Sequence, residues 1–129
     1  MKVELNKYVE KPWGYEKWIV ITDNYALKEI FFKKGQRCSF QYHHKKEKIS
    51  GGVSMDKKEE HIYILSGKLE VLEDNENREL ETHVYGPGDI IHNPPTYRHR
   101  NTALEDTTII EVSTPHLDDV VRIEDDYNR

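Results

Sequence analysis

Four side chains in two separated stretches have the types and spacing for metal-assisted chemistry. Gly35 is followed by five residues and then by Gln41 and His43, two positions apart; Glu60 is followed by six residues and Gly67; Gly88 is followed by five residues and Pro94, with His99 five positions beyond. In an extended strand, residues two apart project to one face, so Gln41 and His43 point together while Tyr42 points away. By the same parity Glu60 travels with Ile62 and Ile64, apolar residues suited to a barrel interior, and His99 travels with Tyr97 and Asn101. Two imidazoles, a carboxylate and an amide oxygen meeting inside a barrel would form a nitrogen–oxygen donor set with open positions, as a catalytic divalent ion requires. A single strand histidine is commonly just a hydrogen-bonded residue; the joint spacing is what carries weight.

The elements that must position these residues read as short β-branched and aromatic runs separated by turn residues. Trp18–Ile21 stops at Thr22-Asp23-Asn24, and Ala26–Phe32 stops at Lys33-Lys34-Gly35. His61–Leu65 turns at Ser66-Gly67 and returns through Lys68–Leu72, with Asp74–Asn77 as a hairpin tip. Gly86-Pro87-Gly88-Asp89 is a further turn before Ile90-Ile91, and Thr107–Ser113 is the last clear strand. Many short strands at this spacing predict an all-β sandwich or barrel.

A chain of 129 residues is the size of one domain, spanning 1–129. Its 24 acidic and 19 basic side chains give a formal charge of −5, which argues against a nucleic-acid partner. No apolar run approaches the length of a membrane span, and the charged N-terminus lacks the apolar stretch of a signal peptide. The single cysteine, Cys38, excludes an internal disulfide and fits a reducing compartment, so a cytoplasmic location is expected. Lys45 to Glu59 is polar and lysine-rich around Gly51-Gly52, and reads as an insertion that is either a lid or a solvated loop.

The two segments resemble the paired motifs of the cupin family: a glycine, five residues, His-x-His and a glutamate six residues before a glycine, then a glycine, five residues, a proline and a histidine. That resemblance implies a cupin fold, a jelly-roll barrel, and places the ligands of one divalent metal ion on Gln41, His43, Glu60 and His99. Gln41 stands where the family usually has histidine, and the insertion stretches the gap from His43 to Glu60. Glu47 is the rival carboxylate, but the Lys48-Ile49-Ser50-Gly51 after it is too short and polar for the strand that follows Glu60. His44 could substitute for His43, although its parity with Gln41 is wrong. Cys38 also has the wrong parity and reads as a small buried hydrophobe.

Within the cupins the chain is similar to the type II mannose-6-phosphate isomerases. The likeness rests on Lys11-Pro12-Trp13-Gly14, Ser39-Phe40-Gln41-Tyr42-His43, Glu60 to Gly67, His99-Arg100, Ile110-Glu111-Val112 and the tail from Asp118 to Arg129. It implies interconversion of an aldose and a ketose, mannose 6-phosphate to fructose 6-phosphate, through an enediolate. A proton shuttle is then required near the ion. Lys28, in phase with Ile30 and Phe32, and Glu111, in phase with Ile109, are the inward ionisable candidates; Arg100 could hold substrate oxygens. Tyr97 and Arg122 are the expected substrate contacts. The donor set suits zinc, manganese, cobalt, nickel or iron. A homodimer paired through strand edges is expected, with a small-molecule sugar phosphate as partner and neither nucleic acid nor membrane. The rival readings are a sugar-binding or regulatory cupin without turnover and a non-haem iron dioxygenase; Gln41 in place of a histidine counts against the second.

Overall fold

The structure, a computed structural model, describes residues 1–43, 49–50, 53–54, 58–115 and 120–127. Among the described residues thirteen strands follow in chain order. They are β1 (Lys7–Lys11), β2 (Gly14–Ile21), β3 (Ala26–Phe32), β4 (Phe40–His43), β5 (Ile49–Ser50), β6 (Val53–Ser54) and β7 (Glu60–Ser66). There follow β8 (Leu69–Asp74), β9 (Leu80–Tyr85), β10 (Ile90–Asn93), β11 (His99–Ala103), β12 (Thr107–Ser113) and β13 (Val120–Glu124). Among the described residues all regular structure is strand, as the sequence rhythm predicts.

Two antiparallel sheets face each other. One has the order β1-β2-β3-β12-β7-β10, the other β13-β4-β11-β8-β9. Strands central to each sheet are distant in sequence, so long-range pairing brings the two motif segments together. The register His99↔Gln41 joins β11 to β4, and Asn93↔Glu60 joins β10 to β7. Alternation then decides which residues meet. On β3 Lys28, Ile30 and Phe32 are buried, on β7 Glu60, Ile62 and Ile64, and on β12 Thr107, Ile109, Glu111 and Ser113.

Lys28 precedes Ile30 and Phe32 on β3, Glu60 precedes Ile62 and Ile64 on β7, and Glu111 and Ser113 follow Ile109 on the antiparallel β12. Glu111 lies opposite Lys28 on one side and Ile62 on the other, and Ser113 lies opposite Glu60. The ionisable groups therefore collect at one end of the barrel. The other end is filled by Ile62, Ile64, Leu69, Val71, Ile91, Ala103 and Ile109, with Trp13 stacked on Phe32 at 4.3 Å between ring centroids. That packed half supplies the apolar burial that offsets a polar cavity beside it.

Two glycines are dictated by geometry. Gly67, in the β7–β8 turn, has φ 94°, and a Cβ there would lie 2.3 Å from the Asp106 carbonyl oxygen. At Gly14, where β2 starts against β3, a Cβ would overlap the Phe31 carbonyl oxygen. Only a residue without a side chain allows such approaches.

The structure adds β1, β9 and β13 to the sequence reading; their side chains are mostly exposed, so no buried alternation marks them, and they form through pairing with their neighbours. The 45–59 stretch, expected as one long loop, holds the short antiparallel pair β5–β6, with Ile49 opposite Ser54. Its residues 45–48, 51–52 and 55–57 lie outside the described residues.

Candidate metal centre

The polar end of the barrel encloses a cavity of about 160 Å³. His43 closes β4, Glu60 opens β7 and His99 opens β11, so each stands at a strand end facing inward; their exposures are 6%, 3% and 2%. His43 Nε2 lies 3.2 Å and His99 Nε2 3.3 Å from the same Glu60 oxygen, Oε1. One potential donor atom from each residue falls within 4.8 Å of the others. Gln41 lines the same cavity, beside His99 across the β4–β11 pairing; its Oε1 accepts a hydrogen bond from the Ser39 hydroxyl.

The surroundings fit an ion. His99 Nδ1 lies 3.2 Å from the Tyr97 carbonyl oxygen, which can only accept, so Nδ1 carries the proton and Nε2 turns its lone pair inward. This is the usual way a backbone carbonyl fixes the tautomer of a ligating imidazole. Asn93 Nδ2 donates to Glu60 Oε1 at 3.1 Å and orients the carboxylate from the neighbouring strand. Burial pushes the His99 imidazolium down from its ordinary range, partly opposed by the Glu60 charge, so at neutral pH the ring is neutral and able to ligate. Burial alone would push Glu60 up. Hydrogen bonds from the Glu111 carboxyl and from His43 reverse this and hold Glu60 well below the carboxylate range. A nitrogen, nitrogen and oxygen set of this kind can hold a divalent ion of borderline softness.

A second layer faces this triad. Glu111 is raised well above the usual carboxylate range by burial and by the Glu60 carboxylate beside it, since two buried carboxylates cannot both ionise without compensation. Lys28 Nζ sits 3.9 Å from Glu111 Oε2, 3.7 Å from Glu16 Oε1 and 4.7 Å from the centre of the Trp18 ring. Trp18 Nε1 donates to Glu16 Oε1 at 2.9 Å. The lysine is thus held within the site rather than extended to solvent.

Of the residues singled out from sequence, Gln41, His43, Glu60, His99, Lys28, Glu111 and Arg122 all line the cavity. Two do not. Arg100 is turned to the opposite face by its adjacency to His99 in β11. Its Nε donates to the Cys38 carbonyl oxygen at 2.9 Å and its Nη2 to Asp126 at 3.1 Å, so it secures the C-terminal segment. Tyr97 precedes the start of β11, in the turn where Thr96 adopts φ 69°, so strand parity does not extend to it. Its ring lies under the Arg78 guanidinium at 4.4 Å, beside a separate, open hollow; it reaches the site only through its carbonyl. Cys38 is buried and its thiol is pushed up to about 11 by that burial, as an inert hydrophobe should be. Glu47 and His44, the rival ligands, lie outside the described residues.

Sequence reasoning missed Lys58, Glu16, Lys11 and Trp18, which also line the cavity. Lys58 is only 4% exposed although it ends a lysine-rich stretch. The signal was available: Lys58 is two positions before Glu60, and Glu16 and Trp18 are in phase on β2 opposite Ile30 and Lys28. Extending the strand parity by two residues in each case finds all three.

No protein-family model matches the sequence, and no curated protein matches it. Solved structures do. KdgF from Halomonas sp. superimposes with a TM-score of 0.67 at 21% identity, over 88% of this chain and 90% of its own. Oxalate decarboxylase from Bacillus subtilis gives 0.72 at 17%, over 91% of this chain and 30% of its own. CapF, solved with the inhibitor 3-isopropenyl-tropolone, gives 0.72 at 18%, over 95% and 35%. The chain thus spans about a third of the length of the last two. These are cupin-fold proteins, and the two facing antiparallel sheets described above are a cupin barrel.

Proposed function

We propose that this protein is a metal-dependent sugar-phosphate isomerase that interconverts an aldose and a ketose, with mannose 6-phosphate and fructose 6-phosphate as the substrate pair. The observation that carries the reading is the Glu111–Lys28 pair, buried against a His43–Glu60–His99 triad in one cavity. Gln41, His43, Glu60 and His99 would hold the ion, which when bound offsets negative charge on the two substrate oxygens. A solved form of Bacillus subtilis oxalate decarboxylase, 19% identical to this chain, has Mn(II) centres, so manganese is the first ion to test, before zinc, cobalt, nickel and iron.

Glu111 is the proton carrier. Once the proton it shares with Glu60 has been lost to solvent, the Glu111 carboxylate removes the proton from C2; the C2–H electron pair forms the enediolate double bond while the C1 carbonyl oxygen takes up charge. The proton of the C2 hydroxyl passes to the C1 oxygen, and the same carboxyl then delivers its proton to C1 as the C2–O bond becomes the ketose carbonyl. Lys28 holds Glu111 in place and donates to the enediolate oxygen, the role that Arg100 cannot fill from the opposite face.

Among the described lining residues are four basic ones, Lys11, Lys28, Lys58 and Arg122, against the carboxyls of Glu16, Glu60 and Glu111. A chain of net charge −5 thus lines its cavity with a slight basic excess, which suits an anionic ligand. A 160 Å³ enclosure is smaller than the roughly 300 Å³ lower bound of typical ligand sites. It would take the C1–C2 end of a hexose phosphate and leave the phosphate at the mouth, where the exposed Arg122 stands.

Incubation with mannose 6-phosphate and each divalent ion in deuterium oxide tests the proposal. Fructose 6-phosphate should form with deuterium at the transferred position, and Glu111→Gln should abolish both. Binding without turnover or exchange across phosphorylated aldoses and ketoses would instead support a sugar-binding domain. The proposal extends to a cytoplasmic homodimer joined through sheet edges; sedimentation as a monomer at micromolar concentration would remove the dimer.

A further inference from the structure

The outer face of the strand pair that carries Glu60 holds a second group of metal-ligating side chains. His61 on β7 and His92 on β10 are direct cross-strand partners, and their rings stack at 4.3 Å between centroids with 5° between planes. Glu59, two residues before His61 and so on its face, lies with Oε1 2.8 Å from His92 Nε2. The Glu59 backbone is pinned at the end of β12: its N–H donates to Thr114 Oγ1 at 3.1 Å, and the Thr114 N–H donates to its carbonyl oxygen at 3.1 Å. One potential donor atom from each of Glu59, His61 and His92 falls within 4.8 Å of the others, and all three residues are exposed.

We propose that Glu59, His61 and His92 form a second, surface metal site for a zinc-class divalent ion, separate from the interior triad. Two imidazoles and one carboxylate suit zinc, nickel or copper, with water completing the coordination. A carboxylate can only accept, so His92 Nε2 now carries its proton towards Glu59; ion binding replaces that proton, which shifts to Nδ1 as the ring stays neutral. The sheet supplies the preorganisation, because the cross-strand register fixes both imidazoles before any ion arrives. The ion would also tie β7 to β10 immediately beside the Asn93↔Glu60 pair, so the two sites occupy opposite faces of one strand ladder.

Zinc titration of the chelator-stripped full chain against a chromophoric competitor tests the proposal, with wild type, a His61→Gln/His92→Gln double variant and His99→Gln compared. The expected result is one equivalent that weakens at least roughly tenfold in the double variant yet persists in His99→Gln. This criterion stands whether or not the interior triad binds zinc. Because His61 and His92 are solvent-facing, the double variant should keep the wild-type circular dichroism spectrum. Copper added to His99→Gln should show two-nitrogen hyperfine coupling that disappears when His61 and His92 are also replaced. Zinc isotherms of wild type and double variant that superimpose would overturn the proposal, as would a copper spectrum independent of both histidines.

Discussion

At the scale of single residues, the candidate centre depends on neighbours as much as on donors. Asn93 makes no claim to ligate, yet it holds the Glu60 oxygen that both histidines approach. Replacing it with alanine should weaken ion binding roughly tenfold while leaving the fold intact, because removal of such supporting groups typically costs 10- to 100-fold in affinity. Competitive titration of the two proteins with manganese measures this. Asp74 provides a contrast, a carboxylate whose partner is structural. Burial pushes its carboxyl up, but the Arg98 guanidinium and backbone N–H, at 2.6–3.2 Å, outweigh this and hold it below the ordinary value. A carboxyl depressed in the folded state contributes stability above its unfolded pKa of about 3.9. That contribution disappears as the pH falls through the folded-state value. Asp74→Asn should therefore lose about 2 kcal/mol at pH 7, a moderate figure because Arg98 is about one-third exposed, and should unfold with less pH dependence below pH 4. Urea denaturation at pH 7 and pH 3 tests both parts.

At the scale of elements, the turns carry as much information as the strands. The φ of 94° at Gly67 and the Asp106 carbonyl beside it predict that Gly67→Ala destabilises by about 2 kcal/mol or more, measurable by thermal melting. The same residue illustrates what could be read in advance. Gly67 marked the end of β7, which fixed the phase of Glu60, and that phase separated Glu60 from its neighbours correctly. Where strands were amphipathic, as in β3 and β12, alternation placed Lys28 and Glu111 in the cavity. Legibility failed where a strand's bounds were invisible. Tyr97 was assigned by extending β11 backward through a turn, and Trp18 was treated as a strand start although β2 begins at Gly14. Arg100 failed differently: its chemistry suited a substrate contact, but its parity with His99 already pointed it outward. Lys58 shows the converse, a residue whose lysine-rich surroundings implied solvent and whose position two before Glu60 implied burial. Register between distant strands, which brings His43 to His99, had no local signature at all.

At the scale of the whole molecule, an ion that binds only the folded chain must also hold the barrel closed. At a free concentration one hundred times its dissociation constant it should add about 2.7 kcal/mol to stability. Thermal melts before and after chelation, and again after readdition, should therefore shift down and then recover. A variant with His43→Ala and His99→Ala together with His61→Gln and His92→Gln should show no such response. Among the described residues there is no helix long and apolar enough to cross a membrane.

The placement of β13 has an outcome for how the site comes into being. β4 carries Gln41 and His43, yet its ladder with β11 consists of the single register pair His99↔Gln41, whereas β13 pairs along all four of its residues. β13 also supplies Val120 and Arg122 to the cavity, and Arg100 clamps the stretch just beyond it through Asp126. Two of the four donors thus gain most of their main-chain support from a strand that lies far along the chain from them. During translation the barrel could already be collapsed around its aliphatic half while remaining unable to retain an ion, so metal loading becomes a signature of β13 having emerged and docked.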